Sequence, residues 1–181
     1  MIWIILGVVV LVLLYVMATY NKLIKGRNKV EGEWAQIDVQ LKRRADLIPN
    51  LVETVKGYAA HEKETLDAVI SARSKAIGAN TTEEKIEANK ELTSAISRLL
   101  VVAENYPELK ANTNFLDLQS SLKETEDKIA YARQFYNDAA KSFKNAVEMF
   151  PSNVIAGMFG FKALPFFEVT EADRETPEVK F

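Results

Sequence analysis

Residues 1–20, MIWIILGVVVLVLLYVMATY, carry no charged side chain. Nothing else in the chain limits its choice of fold so strongly. As an α-helix this run extends roughly 28–30 Å, the hydrocarbon thickness of a bilayer. The expectation is a single-pass membrane anchor over residues 1–20. Ile2 and Trp3 would meet one interface, with Tyr15 and Tyr20 near the other, where amphipathic rings prefer to sit. A cleaved leader would need a basic stretch ahead of Ile2, which is missing, and small residues at its cleavage site, for which YVMATY is a poor match; a lipid-modified leader would need a cysteine, and the chain has none. Lys22, Lys25, Arg27 and Lys29 crowd the C-terminal flank. The positive-inside bias then predicts an external N-terminus and a cytosolic body, in a bacterial cytoplasmic membrane.

The remainder reads as helix. Only 7 glycines and 5 prolines occur in 181 residues, and Ala, Leu, Glu and Lys are common. From Val30 a stripe runs through Trp34, Ile37, Leu41, Ala45, Ile48, Val52, Val55, Ala59, Leu66 and Val69. Its steps are mostly three and four, as on a coiled-coil seam, and only Glu62 and Arg73 break it. Pro49 falls inside the stripe. ADLIPNL contains no turn cluster, so the pattern predicts a bend there rather than a reversal. Gly78 suits a left-handed helix end. Thr81 and Glu84 read as a capping box opening the next helix, with the stripe Ile86, Asn89, Leu92, Ile96, Leu99, Ala103, Tyr106. Pro107 marks its end or a brief restart, and Asn112 and Asn114 are cap candidates for a last long helix over about 114–149. Short connections imply antiparallel neighbours. The expected architecture is all-α: the anchor, a helical bundle over 21–149 with three or four helices and a first helix kinked near Pro49, an apolar segment over 150–167, and an acidic tail over 168–181.

If Pro49 only bends the chain, the later passes are too short to cover Val30, Trp34, Ile37 and Leu41. That stripe would then be shielded by neighbouring copies, giving a parallel homo-oligomer. A reversal at Pro49 would instead supply a fourth local helix. The apolar segment FPSNVIAGMFGFKALPFFEV leaves a similar choice. Its glycines, prolines and Lys162 argue against a second span. Phe150, Phe159, Phe161, Phe166 and Phe167 could cap the bundle core, bind another copy or partner, or insert shallowly into the membrane surface. Ser152 reads as the N-cap of a short helix there.

Chemistry is sparse. Without cysteine there are no disulfides, thiolate nucleophiles or thiolate zinc sites. His61 is the only histidine, and it reads as a solvated helical residue. One histidine cannot supply the paired Glu-x-x-His motifs of a di-iron bundle. Glu62, Glu64, Glu83, Glu84 and Glu87 alternate with lysines, as on a solvated helix face. The chain has no phosphate-binding glycine loop, nucleophile elbow or zinc-type His-Glu-x-x-His. Net charge is -2, and the basic run Lys42-Arg43-Arg44 is flanked by Asp38 and Asp46 without interleaved aromatics. It reads as a solvated face, not a nucleic-acid site. No catalytic residue, metal or cofactor is expected.

The stretch YNKLIKGRNKVEGEWAQIDVQLKRRADLIPNLVETVKGYAAHEKETLDAVISARSKA closely resembles the LemA family, and so does FPSNVIAGMFGFKALPFFE. The resemblance implies a bacterial protein with one N-terminal transmembrane helix and a helical bundle. Some members are encoded beside membrane metalloproteases, which makes such a protease a conceivable partner. The family carries no established activity, so no catalytic residue is transferred. Together the residues and the resemblance suggest a membrane-anchored, non-catalytic scaffold. Its alternatives are an accessory factor of a membrane protease and a membrane-remodelling protein.

Overall fold

A computed structural model of the chain describes residues 1–167; the expected acidic tail, 168–181, lies outside the described residues. The described chain is all-helical. Helix α1 spans Ile2–Lys56, α2 Lys63–Gly78, α3 Thr82–Ala103, α4 Pro107–Lys110, α5 Thr113–Glu148 and α6 Ser152–Met158. The residues divide into two compact units. One joins 1–36 with 132–166; the other holds 37–131 together with Phe167. Helices α1 and α5 contribute to both.

In the second unit the chain runs up, down, up and down as a four-helix bundle. The reversal after α1 lies at residues 57–62, not at Pro49, which stays inside α1. Proline at 49 cannot donate to the carbonyl four residues before it, that of Ala45. Arg73 Nε of α2 donates to that same carbonyl at 2.8 Å. The arginine that broke the apolar stripe thus fills the acceptor that the proline leaves open. Arg73→Leu is expected to cost about 1–3 kcal/mol by orphaning this carbonyl. The same change should cost clearly less in a Pro49→Ala background, where a backbone N–H returns; urea titration of both pairs is the check. Equal costs in the two backgrounds would exclude this account.

The expectation of a continuous helix past Pro49 to Gly78 failed because the turn needs no special residue. Tyr58 and Ala59 donate to the Val55 carbonyl at 3.0 and 2.8 Å, and Glu62 to that of Ala59 at 3.1 Å. These are helix-like closures, and no residue here has a positive φ. Ala59 stays fully buried, so the apolar stripe keeps its place on the core side within the turn, and Glu62 breaks it only at the turn's last residue. His61 lies in this turn, exposed, rather than on a helix. Two side-chain bonds join the turn to the α3–α5 connection. Tyr106 donates to Glu62 at 2.9 Å, and Asn112 Nδ2 to the Tyr58 hydroxyl at 2.9 Å. The bond to Glu62 raises the Tyr106 pKa above its ordinary value, with lesser help from desolvation.

Gly78 is the last residue of α2 and does not take the left-handed conformation; the chain leaves through Ala79 in extended geometry (φ -69°, ψ 130°). The capping box at the start of α3 is present. Glu84 N–H donates to Thr81 Oγ1 at 3.2 Å, while the Glu84 carboxylate accepts from the backbone N–H of Asn80 (2.9 Å) and Thr81 (3.2 Å). Those two bonds, that from Asn80 first, hold the Glu84 carboxyl below the usual range. A depressed folded-state pKa stabilises above the unfolded value and is lost as pH falls through the folded one. Thr81→Ala removes the hydroxyl that accepts from Glu84 N–H and should cost about 1 kcal/mol, and Thr82→Ala less. The Glu84→Gln chain should melt below the wild type at neutral pH and together with it under acid conditions. A gap that persists in acid would rule out the carboxylate as its source. Asn112 Oδ1 accepts from Phe115 N–H at 3.0 Å, capping α5, and Pro107 opens the short α4.

In the first unit α1 and α5 lie antiparallel. Trp34 meets Tyr136 edge-on with centroids 5.4 Å apart. Eight residues earlier on α1, a Cβ placed on Gly26 would stand 3.0 Å from Phe143 Cδ2, so a side chain here would push the helices apart. Helix α6 ends in a Schellman motif: Gly160 has φ 72°, and the N–H groups of Phe161 and Gly160 donate to Ala156 (2.9 Å) and Gly157 (3.3 Å). Residues 161–166 then return along α5. Phe161 lies against Phe143 at 6.4 Å, the Tyr136 hydroxyl donates to the Pro165 carbonyl at 2.7 Å, and the Lys144 ammonium sits 5.7 Å from the Phe166 ring. Ser152 is not an N-cap; Pro151 holds that position, and the Ser152 hydroxyl donates back to the Met149 carbonyl at 2.8 Å.

Candidate functional site

Two places in the described residues concentrate side-chain chemistry, one in each unit. In the bundle, Arg44 is buried, which corrects its reading as part of a solvated basic run; Lys42 and Arg43 are exposed. Successive helical residues point about 100° apart, so one of three neighbours can face inward while the others stay out. The Arg44 guanidinium reaches α3 and α5 together. It donates to Thr93 Oγ1 at 3.0 Å and Asn89 Oδ1 at 2.9 Å, and pairs with the Glu126 carboxylate. Asn89 is held in turn by its Nδ2 bond to the Lys85 carbonyl at 2.8 Å. Burial pushes the Arg44 pKa below its ordinary value, and Glu126 opposes that push by charge and hydrogen bond. An arginine stays protonated regardless. The network therefore fixes one register among three helices; it offers neither a nucleophile nor a proton to exchange at neutral pH.

In the first unit, aromatic side chains gather where the uncharged run ends. Tyr20 packs on Phe159 (centroids 4.8 Å) and Phe161 (5.8 Å), and the Arg27 guanidinium lies 5.7 Å from the Phe161 ring. Tyr20 is thus committed to protein contacts, while Ile2, Trp3 and Tyr15 are exposed along the helix. Lys22, Lys25, Arg27 and Lys29 are also exposed. Helix α1 is the one helix among the described residues long and apolar enough to cross a membrane.

The stripe assigned to self-association is covered within the chain. Val30, Ile37 and Leu41 are buried, and Trp34 is half-buried against Tyr136. The reason for calling on neighbouring copies disappears, because the chain reverses at 57–62 and α5 reaches back past Trp34. The phenylalanines of 150–167 divide: Phe167 is buried, Phe161 and Phe166 half-buried, Phe150 and Phe159 exposed. Three of the glutamates considered as acids go to separate partners, Glu62 to Tyr106, Glu84 to the α3 cap and Glu87 to Lys90. Among the described residues no three metal-ligating side chains of His, Cys, Asp or Glu gather.

Residues 33–181 match the LemA family model, which includes the whole bundle and the returning C-terminal segment. The chain belongs to the LemA family. Among curated relatives it is 26% identical over 155 residues to Protein LemA of Metamycoplasma hominis, covering 85% of this chain and 71% of that one. It is 25% identical over 184 residues to Magnetosome protein MamQ 2 of Paramagnetospirillum magneticum, covering 87% of this chain and 67% of the other. Magnetosome protein MamQ of Magnetospirillum gryphiswaldense matches at 23% identity over 184 residues with the same coverage. In this LemA-family chain both clusters are made by pairing elements far apart in sequence. Arg44 meets Glu126 across 82 positions, and Tyr20 meets Phe159 across most of the chain.

Proposed function

We propose that this LemA-family protein is a non-catalytic helical scaffold, anchored in a bacterial cytoplasmic membrane through α1, with its N-terminus outside and its bundle in the cytosol. The observation that carries the proposal is α1 itself. It begins as an uncharged run of bilayer length and continues without a break as a buried element of the bundle. An anchor of that kind holds a binding surface at the membrane. The polar network of the bundle supports the non-catalytic part, since its charges are spent on one another and fix packing. Exposed Lys22, Lys25, Arg27 and Lys29 at the end of the run support the orientation. The test is affinity purification of the full chain from its host's membranes in mild detergent, followed by mass measurement. A reproducible stoichiometric partner is expected, and a membrane metalloprotease in that position would narrow the role to an accessory factor. A bare monomer with no partner would sink the scaffold reading. Protease added to intact spheroplasts should spare the bundle; its digestion there would reverse the orientation.

A further inference from the structure

The molecule carries an exposed apolar patch at one particular level. Trp34 lies against Tyr136, and Gly26 against Phe143. One step toward the N-terminus on α1 is matched by about one step toward the C-terminus on α5, as antiparallel helices of equal rise require. Continued to the end of α5, that register brings Met149 level with Tyr20, the last residue of the uncharged run. Both ends of α6 stand at this height. Phe150 lines a depression shared with Tyr15, Ala18, Thr19 and Lys22, and Phe159 packs on Tyr20 at 4.8 Å. Around α6 the large outward side chains are apolar, Met149, Phe150 (82% exposed), Val154, Met158 (74%) and Phe159 (52%), with Asn153 the exposed polar residue of the helix. The inward ones, Ile155 and Ala156, are buried. A patch of this kind is unfavourable in water and calls for an apolar neighbour.

We infer that Met149–Phe159 is a second membrane contact, a short wedge that inserts into the lipid headgroup and acyl boundary beside the anchor. The inference rests on reading Ile2–Tyr20 as that anchor. Lipid is favoured over a protein occupant by position. If the run fills the hydrocarbon, α6 is held by Tyr20 at its edge, and the interface is the solvent it meets. Charge agrees. Exposed Lys22 lines the depression with Phe150, and exposed Lys162 follows Phe161 on Tyr20, both suited to anionic headgroups, and the nearby acid Glu148 has Lys144 3.9 Å away. The returning segment, through Phe161 on Phe143 and Pro165 on Tyr136, clamps the wedge to α5. α6 then makes no separate amphipathic anchor of its own; at seven residues it would be too short to fold unaided.

The chain has no cysteine, so single cysteines can report depth without background. Full-length Phe150→Cys, Met158→Cys, Leu13→Cys and Ser71→Cys chains are spin-labelled and reconstituted in vesicles of equal parts phosphatidylethanolamine and phosphatidylglycerol. Collision with oxygen and with an aqueous nickel complex gives each label's depth. Labels at 150 and 158 are expected about 5–10 Å below the phosphates, the label at 13 deeper, and the label at 71 in water. A deep label at 13 with aqueous labels at 150 and 158 would overturn the wedge and leave the anchor standing. An aqueous label at 13 would overturn the anchor and the wedge together. Labels at 150 and 158 shielded from both reagents would show a protein partner or second copy in place of lipid, and would also overturn the inference.

Discussion

Arginine at both position 9 and position 13, in place of Val9 and Leu13, should move the chain from the membrane pellet to the soluble fraction. Between Ile2 and Val16 the run holds 12 leucine, isoleucine and valine residues. At about 0.3–0.6 kcal/mol each they favour insertion by about 4–7 kcal/mol. One arginine near the middle of a span costs about 2.5–3.5 kcal/mol, so two cancel the whole advantage. Both positions lie well inside the run, and neither side chain contributes to the buried core. Helicity of the body, read by circular dichroism, should be unchanged. Alkaline carbonate extraction followed by sedimentation is the measurement. If the double variant still resists extraction, the bilayer interior is not what holds this helix, and the proposed anchoring fails with it.

Most of the helices were legible from apolar spacing and capping chemistry. The box at Thr81 and Glu84 appears because both partners are local and three residues apart. The reversal at 57–62 was not legible, for a physical reason. It closes through helix-like bonds, keeps φ negative even at Gly57 and buries Ala59 on the core side, so one glycine and one break in the stripe at Glu62 look the same as they would inside a continuous helix. Pro49 misled in the opposite direction. A proline in a stripe suggests a break, yet its missing donor is replaced by Arg73, a side chain 28 positions beyond the Ala45 carbonyl it serves. No window around ADLIPNL contains that arginine.

The Arg44 cluster could have been found from the sequence, though not in its basic run. Position 44 continues the spacing from Leu41 toward Ile48, which marks it as inward-facing. Asn89 is the polar residue in the otherwise apolar stripe of α3, and Thr125 is buried on α5 beside Leu122 and Ile129. A charged residue on one inward stripe and an amide on another suggest a buried polar network, since neither is stable inside alone. Reading Lys42, Arg43 and Arg44 as one block hid the fact that they lie on different faces. The anchor-side cluster was legible only as composition. Phe150 and Phe159 are both aromatic and both exposed, while Phe167 is buried, and nothing local distinguishes them; their roles follow from where α5 ends relative to Tyr20.

Within that buried network the two partners of the ion pair should not be equally expensive to lose. The Arg44 side chain is 3% exposed and that of Glu126 48%. Glu126→Ala leaves a guanidinium buried with only Asn89 and Thr93 as partners. Removing one member of a fully buried pair costs about 3–5 kcal/mol; with the carboxylate half in water, about 2–3 kcal/mol is expected. Arg44→Met removes the buried charge and keeps most of the volume. Its cost is the Asn89 Oδ1 acceptor left without a donor, about 1–2 kcal/mol. Once Arg44 is gone, Glu126 has no buried charge to serve. Glu126→Ala in the Arg44→Met background should therefore cost less than about 0.5 kcal/mol, a coupling of about 2 kcal/mol. Urea unfolding of the four detergent-solubilised full-length chains measures the cycle. Additive costs, or an Arg44→Met chain less stable than Glu126→Ala, would mean that the guanidinium is held by its packing and amide contacts, with Glu126 only a surface neighbour. The predicted asymmetry follows from burial: the charge that cannot return to water sets what its loss of a partner costs.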